Sequence, residues 1–190
     1  HLQGKTILIT GGTGFIGSWL SEVVYYLNES HNMGINLFIV ARDHNRFKSI
    51  LPHISKSKNV KFIRSDIRNL AEVPIEVDYI IHAANSPDNR FHFSRPFESM
   101  TTVAEGMSAL MRAASFAPNL QKVINLSSSS VYSLDKNNDE KFSEQKQGFA
   151  FNHKLSSCFG ESMRYAELLG LAARNEFRLQ VVNIRPFTFC

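Results

Sequence analysis

Three glycines spaced three residues apart, Gly11, Gly14 and Gly17, follow an apolar run and precede an amphipathic segment. A strand, a glycine-rich turn and a helix in this order offer the free N–H groups of the helix N-terminus to a pyrophosphate. Because glycine lacks a Cβ, Gly11 permits a tight turn, Gly14 a close approach to the phosphates, and Gly17 packing of the helix on the strand. We therefore predict a nucleotide-binding turn; the alternative is a glycine-rich loop between two core elements.

The elements that must position this turn follow from the periodicity of the chain. The helix after the turn is predicted to carry one continuous apolar face: Phe15, Ile16, Trp19, Leu20, Val23, Val24 and Leu27. Further strands are predicted at residues 35–41, 60–64, 78–84, 122–126 and 179–184, and further helices at about residues 45–51, 97–116 and 154–175. This alternation is typical of an α/β fold with a parallel, doubly wound sheet flanked by helices. The polar run from Asp135 to Gln147 is predicted to be a mobile loop.

Composition narrows the class of protein. Of 190 residues, 43% are hydrophobic and 20% are charged, which suits one globular domain with one good core. The net charge of +4 is mild, and the densest basic patch, residues 56–64, runs into a predicted strand. A solvated loop is therefore favoured over a nucleic-acid surface.

Sequence features also bear on location and metals. We find no apolar run of the ~18 residues that a membrane span needs and no signal peptide after His1. The two cysteines, Cys158 and Cys190, are far apart and lack the spacing of metal ligands. We expect no metal site and a reducing compartment, the cytoplasm.

Ligands of such sheets bind beyond the carboxyl ends of the strands, so the residues at those ends are the candidates for chemistry. Small and hydroxyl side chains are frequent there, where they let a flat cofactor approach the backbone and supply directional hydrogen bonds. Besides the glycine turn, these ends are Arg42-Asp43, Ser65-Asp66-Ile67-Arg68, His82-Ala83-Ala84-Asn85 and the run from Ser127 to Tyr132.

Six features in this order resemble the extended short-chain dehydrogenases/reductases, the NAD(P)-dependent nucleotide-sugar epimerases and dehydratases. They are the glycine spacing, Asp66, His82-Ala83-Ala84, the serine-rich run before Val131-Tyr132, Gly160-Glu161-Ser162 with Ala166-Glu167, and Arg185-Pro186. The resemblance implies hydride exchange between a nicotinamide and a carbon of a nucleotide sugar. It implies cofactor contacts from Gly11, Thr13, Gly14, Phe15, Ile16, Gly17, Arg42, Asp66, Ile67, Ala83, Ala84, Met163 and Pro186. It also implies that Ser128 orients the reacting hydroxyl.

Two departures from the family pattern fall on its acid–base residues. The pattern Tyr-Gly-x-Ser-Lys-x-x-Ala-Glu lies on residues 159–167, so Phe159 stands at the position of the tyrosine and Met163 at that of the lysine. A phenyl ring has no proton to exchange, and a thioether carries no charge. We therefore expect impaired turnover but retained cofactor binding. A second register, with Lys154 as the lysine and Ala150 one turn before it, breaks the Gly-x-Ser and Ala-Glu matches.

The subtype of reaction is partly predicted. Dehydratases of this family place acidic residues directly after the catalytic Ser or Thr, where this chain has Ser129 and Ser130. Hydroxyls cannot serve as carboxylate acid–base groups, which favours an epimerase or 4-keto-reductase over a dehydratase.

Two alternatives stay open: an NADP-dependent reductase of small carbonyl compounds, which residues 40–43 also resemble, and a non-catalytic NAD(P)-binding protein. A further departure is Val103, three residues before Gly106, where family members usually carry asparagine.

Cofactor preference, domains and assembly complete the expectations. Arg42 precedes Asp43 at the tip of the second strand, and a guanidinium can pair with a 2′-phosphate, so NADP is slightly favoured over NAD. Residues 1–190 are expected to form one dinucleotide-binding (Rossmann) domain, with the small C-terminal substrate domain of the family absent from this sequence.

The resemblance also implies a homodimer formed by two long helices, whose adaptable apolar surface would be Met100, Met107 and Met111. The alternative is that these methionines face their own sheet.

Overall fold

The computed structural model describes residues 1–86, 88–132, 143–144 and 154–187. Within them lie six strands: β1 (Thr6–Thr10), β2 (Asn36–Ala41), β3 (Val60–Arg64), β4 (Tyr79–His82), β5 (Lys122–Leu126) and β6 (Val181–Ile184). The same residues contain five α-helices: α1 (Phe15–His31), α2 (His44–Ile50), α3 (Asn89–Ser94), α4 (Pro96–Ala114) and α5 (Cys158–Glu176). The sheet order is β3-β2-β1-β4-β5-β6, and all neighbouring strands are parallel. The predicted doubly wound Rossmann sheet is confirmed.

Two helical features differ from the sequence prediction. Helix α3 was not predicted, because its six residues show no apolar period; it begins where the Asp88 carboxylate accepts a hydrogen bond from the Arg90 N–H. Helix α5 begins at Cys158, after a short 3₁₀ turn at Leu155–Ser157, rather than near Lys154. Most of the predicted loop from Asp135 to Gln147 lies outside the described residues.

Each face of the sheet carries its own core, because side chains alternate between the two faces along a strand. On one face, α1 and α2 cover side chains such as Ile9 and Ile39. On the other face, α4 and α5 cover side chains such as Leu8, Ile80 and Val123. The strands of such a sheet are buried on both sides, which is why they appear in the sequence as continuous apolar runs.

The predicted apolar face of α1 is split in the fold. Leu20, Val24 and Leu27 pack on the sheet. By contrast, Trp19 and Val23 are 63% and 51% exposed. A straight helix rests on a sheet along one row of side chains, so the adjacent row, one residue earlier along the chain, points outward.

The methionines assigned to a dimer surface occupy different positions in the fold. Met107 and Met111 are buried between α4 and the sheet of their own chain, so their assignment to an intermolecular surface is wrong. Met100, nearer the start of α4, is only partly buried. The inner row of α4 also contains Val103 and Leu110, and the sheet rather than a second copy covers this row.

Candidate functional site

The glycine turn lies between the ends of three strands. Gly11 has φ +68°, a conformation that favours glycine, and its N–H donates to the carbonyl of Val40 in β2 at 2.9 Å. A Cβ on Gly11 would lie 2.5 Å from the carbonyl oxygen of Ala83 and 2.7 Å from the Cα of Ala84. The turn after β1 therefore touches the residues after β4 directly, backbone against backbone.

Helix α1 begins against this turn. A Cβ on Gly17 would lie 2.4 Å from the carbonyl oxygen of Gly11, so glycine allows the first turn of α1 to pack there. Gly14 is the N-cap, has no side chain to cap the helix, and is followed by a first turn without acidic residues. The partial positive charge of this helix end is thus not offset by a local carboxylate. Thr13 and Ile16 are partly buried beside it, and Phe15 is largely exposed.

Two arginines and two aspartates follow the ends of β2 and β3. The Asp43 carboxylate accepts hydrogen bonds from the N–H groups of Asn45 and Arg46, at 2.9 and 3.1 Å, and so caps α2. Asp66 is paired with Arg68 through both carboxylate oxygens, at 3.0 and 2.9 Å. The hydrogen bond from Arg68 lowers the pKa of Asp66, and the positive charge of exposed Arg42 adds to this effect.

Ile67, the neighbour of Asp66, has a structural role in this fold. Its side chain is buried under α4, where a Cβ on Gly106 would lie 2.9 Å from Ile67 Cγ2. The close packing of α4 on the residues after β3 therefore depends on a glycine at position 106. Val103, three residues earlier, is buried in the same core.

His82 at the end of β4 is a neutral core residue. Its ring is buried, and its Nδ1 lies 2.7 Å from the hydroxyl of Thr10. Burial lowers the pKa of His82 from 6.5 to about 4, so the ring is uncharged near neutral pH. The following residues, Ala83 and Ala84, are partly exposed next to the glycine turn.

Phe159 and Met163, one turn apart on α5, lie against the segment that follows β4. The ring of Phe159 is stacked on the imidazole of His92, with centroids 3.9 Å apart. Met163 is almost fully buried, and its Sδ accepts a weak hydrogen bond from the Nδ2 of Asn85 at 3.9 Å. The two residues at the acid–base positions of the family pattern thus face the strand ends, but neither carries a titratable group.

The serine-rich segment after β5 meets the start of α5. Ser128 caps a 3₁₀ turn at Ser129–Val131, and its Oγ accepts from the Ser130 N–H at 3.1 Å. A Cβ on Gly160 would lie 2.6 Å from the Ser130 carbonyl oxygen, which shows how closely α5 approaches this turn. The N–H of Ser129 donates to the Pro186 carbonyl at 3.0 Å. Ser128, the first turn of α5 and Pro186 are therefore gathered at one end of the sheet.

An ion pair that the sequence did not predict joins three elements beside this turn. Arg185 donates to both oxygens of Glu167, at 2.9 and 2.6 Å, and to the hydroxyl of Tyr132 at 3.0 Å. The Ser127 hydroxyl donates to Glu167 at 2.5 Å. Burial opposes ionisation of Glu167, yet the hydrogen bonds from Arg185 and Ser127 lower its pKa overall. The pair holds β5, α5 and β6 in register next to a cleft of about 510 Å³.

Sequence reasoning also missed the cluster around His92. Its Nδ1 lies 2.7 Å from the Ser99 hydroxyl, and its Nε2 lies 2.9 Å from the Ser86 carbonyl. The surrounding segment has no periodicity, so nothing in the sequence marks this partner of Phe159. Of the alternative register, Lys154 is exposed directly before the 3₁₀ turn Leu155–Ser157, and Ala150 lies outside the described residues.

The described residues lack two kinds of feature. We find no group of three or more His, Cys, Asp or Glu side chains there that could hold a metal ion. In the same part of the chain, the helices are too short or too polar to cross a bilayer.

Comparison with known proteins identifies the family. A family model, "NAD dependent epimerase/dehydratase family", matches residues 7–190. CDP-glucose 4,6-dehydratase of Salmonella typhimurium is 28% identical over 185 residues, which cover 92% of this chain and 47% of that protein. Human dTDP-D-glucose 4,6-dehydratase is 32% identical over 166 residues, which cover 83% of this chain and 46% of that protein. The chain thus spans about half the length of these curated relatives.

Solved structures share the fold. UDP-glucuronic acid 4-epimerase of Bacillus cereus, in complex with UDP-glucuronic acid and NAD, superposes with a TM-score of 0.76 at 22% identity. The alignment covers 95% of this chain and 55% of that one. An identity this low supports the fold alone, whereas the family match extends over nearly the whole sequence. The chain belongs to the NAD-dependent epimerase/dehydratase family.

Proposed function

We propose that residues 1–190 act as a dinucleotide-binding domain, which holds NAD(P) along the carboxyl ends of the strands. The observation that carries this proposal is the contact between Gly11 and Ala83, where a Cβ would lie 2.5 Å from backbone. A turn that excludes side chains from this place leaves backbone N–H groups and the N-terminus of α1 accessible to a pyrophosphate.

The surrounding residues fit a dinucleotide in three respects. The start of α1 has no carboxylate to repel phosphate. Arg42 is exposed at the end of β2. Beyond β4, the Oδ1 of Asn85 is a buried acceptor that has no hydrogen-bond partner within the described part of the chain. The bound cofactor would supply the acceptor and donor of hydride at its nicotinamide ring.

The chemistry that we propose is epimerisation or 4-keto-reduction of a nucleotide sugar. Ser128 would orient the reacting sugar hydroxyl. The 3₁₀ turn that it caps is held in place by the hydrogen bond from the Ser129 N–H to the Pro186 carbonyl. A nucleotide sugar is favoured because the curated relatives include CDP-glucose and dTDP-D-glucose 4,6-dehydratases. Although 4,6-dehydratases are among the relatives, Ser129 and Ser130 give the turn hydroxyls where dehydration requires carboxylates.

We propose that turnover by this chain is slow. Phe159 has no proton to give or take, and Met163 has no charge to lower the pKa of a neighbouring group. This supports a second candidate function, a non-catalytic dinucleotide-binding protein. The observation that favours it is the packing itself, because Phe159 is stacked on His92 and Met163 is almost fully buried.

The same proposal includes the preferred cofactor, the assembly and the cellular compartment. NADP is preferred over NAD, since the Asp43 carboxylate is engaged as a helix cap while Arg42 is exposed. Two copies associate through the outer faces of α4 and α5, where Tyr165 and Leu168 are 51% and 61% exposed. The compartment is the reducing cytoplasm, in keeping with the free thiol of Cys158.

Titration of the chain with NADPH and NADH tests the binding proposal. Gly11→Ala should abolish binding, because the new methyl group would meet the Ala83 backbone. Gly4→Ala is the matched control: Gly4 has the same φ of +68°, but an added Cβ there has nothing within 4 Å. The two positions share this positive φ, and only the Gly11 variant puts a methyl group against the Ala83 backbone. Equal affinity in the two variants, or no binding by the unsubstituted chain, would contradict the proposal.

A further inference from the structure

Among the described residues, one buried side-chain polar atom lacks a hydrogen-bond partner, the Oδ1 of Asn85. The amide nitrogen and the backbone N–H of this residue are engaged. Its Nδ2 donates to the Sδ of Met163 at 3.9 Å, and its backbone N–H donates to the Ala83 carbonyl at 2.9 Å. A buried acceptor without a donor is costly, so its presence in a folded protein calls for a physical explanation.

The orientation of the amide does not remove the unpaired group. A thioether sulfur is a weak acceptor and never a donor, so Met163 can pair only with Nδ2. Rotating the amide would bring Oδ1 against sulfur and leave both N–H donors without this contact. In the favourable orientation the unpaired atom is the acceptor Oδ1. Any ligand group that bonds to it must therefore be a hydrogen-bond donor.

Asn85 lies where the proposed ligand would pass. It follows Ala83 and Ala84, which touch the glycine turn, and it faces Met163 on α5. The sheet order β3-β2-β1-β4-β5-β6 puts it on the opposite side of that turn from Arg42. An adenosine bound over β2 and β3 would therefore direct the other half of the dinucleotide across the turn to β4.

The chemistry of the ligand limits the identity of the donor. The pyrophosphate has only acceptor oxygens near neutral pH. In the nicotinamide half the ribose carries hydroxyl donors and the carboxamide carries N–H donors, and ADP-ribose keeps the first group and lacks the second. We propose that Asn85 Oδ1 accepts a hydrogen bond from a hydroxyl of the nicotinamide-side ribose. This makes Asn85 a cofactor-binding residue in a site where Met163 supplies no donor. The inference rests on the proposed binding of a dinucleotide.

The variant Asn85→Leu tests this assignment, because leucine has a similar size and no polar atom. Loss of the bond should weaken NADPH or NADH binding about tenfold. The affinity for ADP-ribose, which keeps the second ribose, should fall by the same factor. The affinity for ADP, which lacks that ribose, should be unchanged. The melting temperature of the ligand-free chain should be unchanged or higher, since the variant removes a buried unpaired acceptor.

Asn28→Leu is the matched control. Asn28 makes two hydrogen bonds to the backbone of Ile35, both 2.8 Å long. Loss of these two hydrogen bonds should lower the melting temperature and leave the affinity for NADPH, NADH and ADP-ribose unchanged. The expected signature of Asn85 is the reverse, weaker binding without loss of stability.

Several results would overturn the inference. Unchanged dinucleotide affinity in Asn85→Leu would remove Asn85 from the site while leaving the proposed function intact. Weakened ADP binding, or unchanged ADP-ribose binding, would show that the contact is not to the second ribose. A fall in melting temperature like that of Asn28→Leu would assign Asn85 a structural role. Failure of the unsubstituted chain to bind any of the probes would overturn the proposed function itself, and this inference with it.

Discussion

The phenyl ring of Phe159 lies against the imidazole of His92, with centroids 3.9 Å apart and planes inclined by 24°. His92 is itself held at both ring nitrogens, by the Ser99 hydroxyl at 2.7 Å and the Ser86 carbonyl at 2.9 Å. A ring at position 159 therefore has a defined orientation. A tyrosine there would differ by one hydroxyl and would inherit the same stacking.

This relationship leads to the first prediction. The double change Phe159→Tyr with Met163→Lys would put a phenol one helical turn before an ammonium. The positive charge should favour the phenolate and make it a base nearer neutral pH. We expect a gain of at least about a hundredfold in turnover, the lower range of positioned acid–base catalysis. The measurement is isotope-labelled hydride transfer to a panel of nucleotide sugars by the complete gene product.

Ser128→Ala in the doubly substituted protein is the control, and it should remove most of the gain. Rapid turnover by the unsubstituted protein would show that Phe159 and Met163 do not limit catalysis. No gain from the double change, with normal cofactor binding, would show that these two positions have been assigned the wrong roles.

The second prediction concerns cofactor preference. Arg42→Ala should weaken NADPH binding about tenfold, the lower range for a charge-assisted hydrogen bond, and leave NADH binding unchanged. Arg46→Ala is the matched control, because Arg46 is also exposed but lies in the first turn of α2, beyond the end of β2. Titration of the unsubstituted chain, Arg42→Ala and Arg46→Ala with NADPH and with NADH measures these affinities. Tighter binding of NADH than of NADPH by the unsubstituted chain would contradict the preference.

The third prediction is a dependence of stability on pH caused by His82. The pKa of this buried ring is lowered from 6.5 to about 4, so between these values the unfolded chain binds a proton that the folded chain does not. The free energy of unfolding should therefore fall as the pH drops from 6.5 to 4, by about 3 kcal/mol from this residue. Below pH 4 this contribution should not change further.

Denaturant unfolding at several pH values measures this effect. His82→Asn keeps an acceptor near the position of Nδ1 for the Thr10 hydroxyl but has no proton to take up, so its unfolding free energy should change less over this range. The remaining titratable groups are the same in both proteins, and their contributions cancel in the difference. Parallel curves for the two proteins would show that His82 is not responsible.

The fourth prediction concerns assembly. If the outer faces of α4 and α5 pair, then Tyr165→Glu with Leu168→Glu should convert a dimer to a monomer, because two charges would be buried in an apolar contact. Val23→Glu is the control, since Val23 is similarly exposed but lies on α1. Sedimentation at micromolar concentration measures the mass. A single 21.5 kDa species from the unsubstituted chain would contradict a dimer.

The sequence by itself determined the sheet and the turn. Strands buried on both faces appear as apolar runs, and the segments 60–64 and 122–126 were predicted at the bounds that β3 and β5 have in the structure. The glycine spacing could be interpreted because each requirement is local: a positive φ at Gly11, and a helix that starts within a few residues of it.

Only the tertiary structure decided which of these residues are partners. The stacking of Phe159 on His92, the ion pair of Glu167 with Arg185 and the unpaired oxygen of Asn85 each depend on contacts or surroundings set by distant parts of the chain. The orientation of Met107 and Trp19 was likewise set by packing, because a helical period shows that a face is apolar but not what covers it. Local pattern specifies elements, and the burial and pairing of side chains are fixed only when those elements meet.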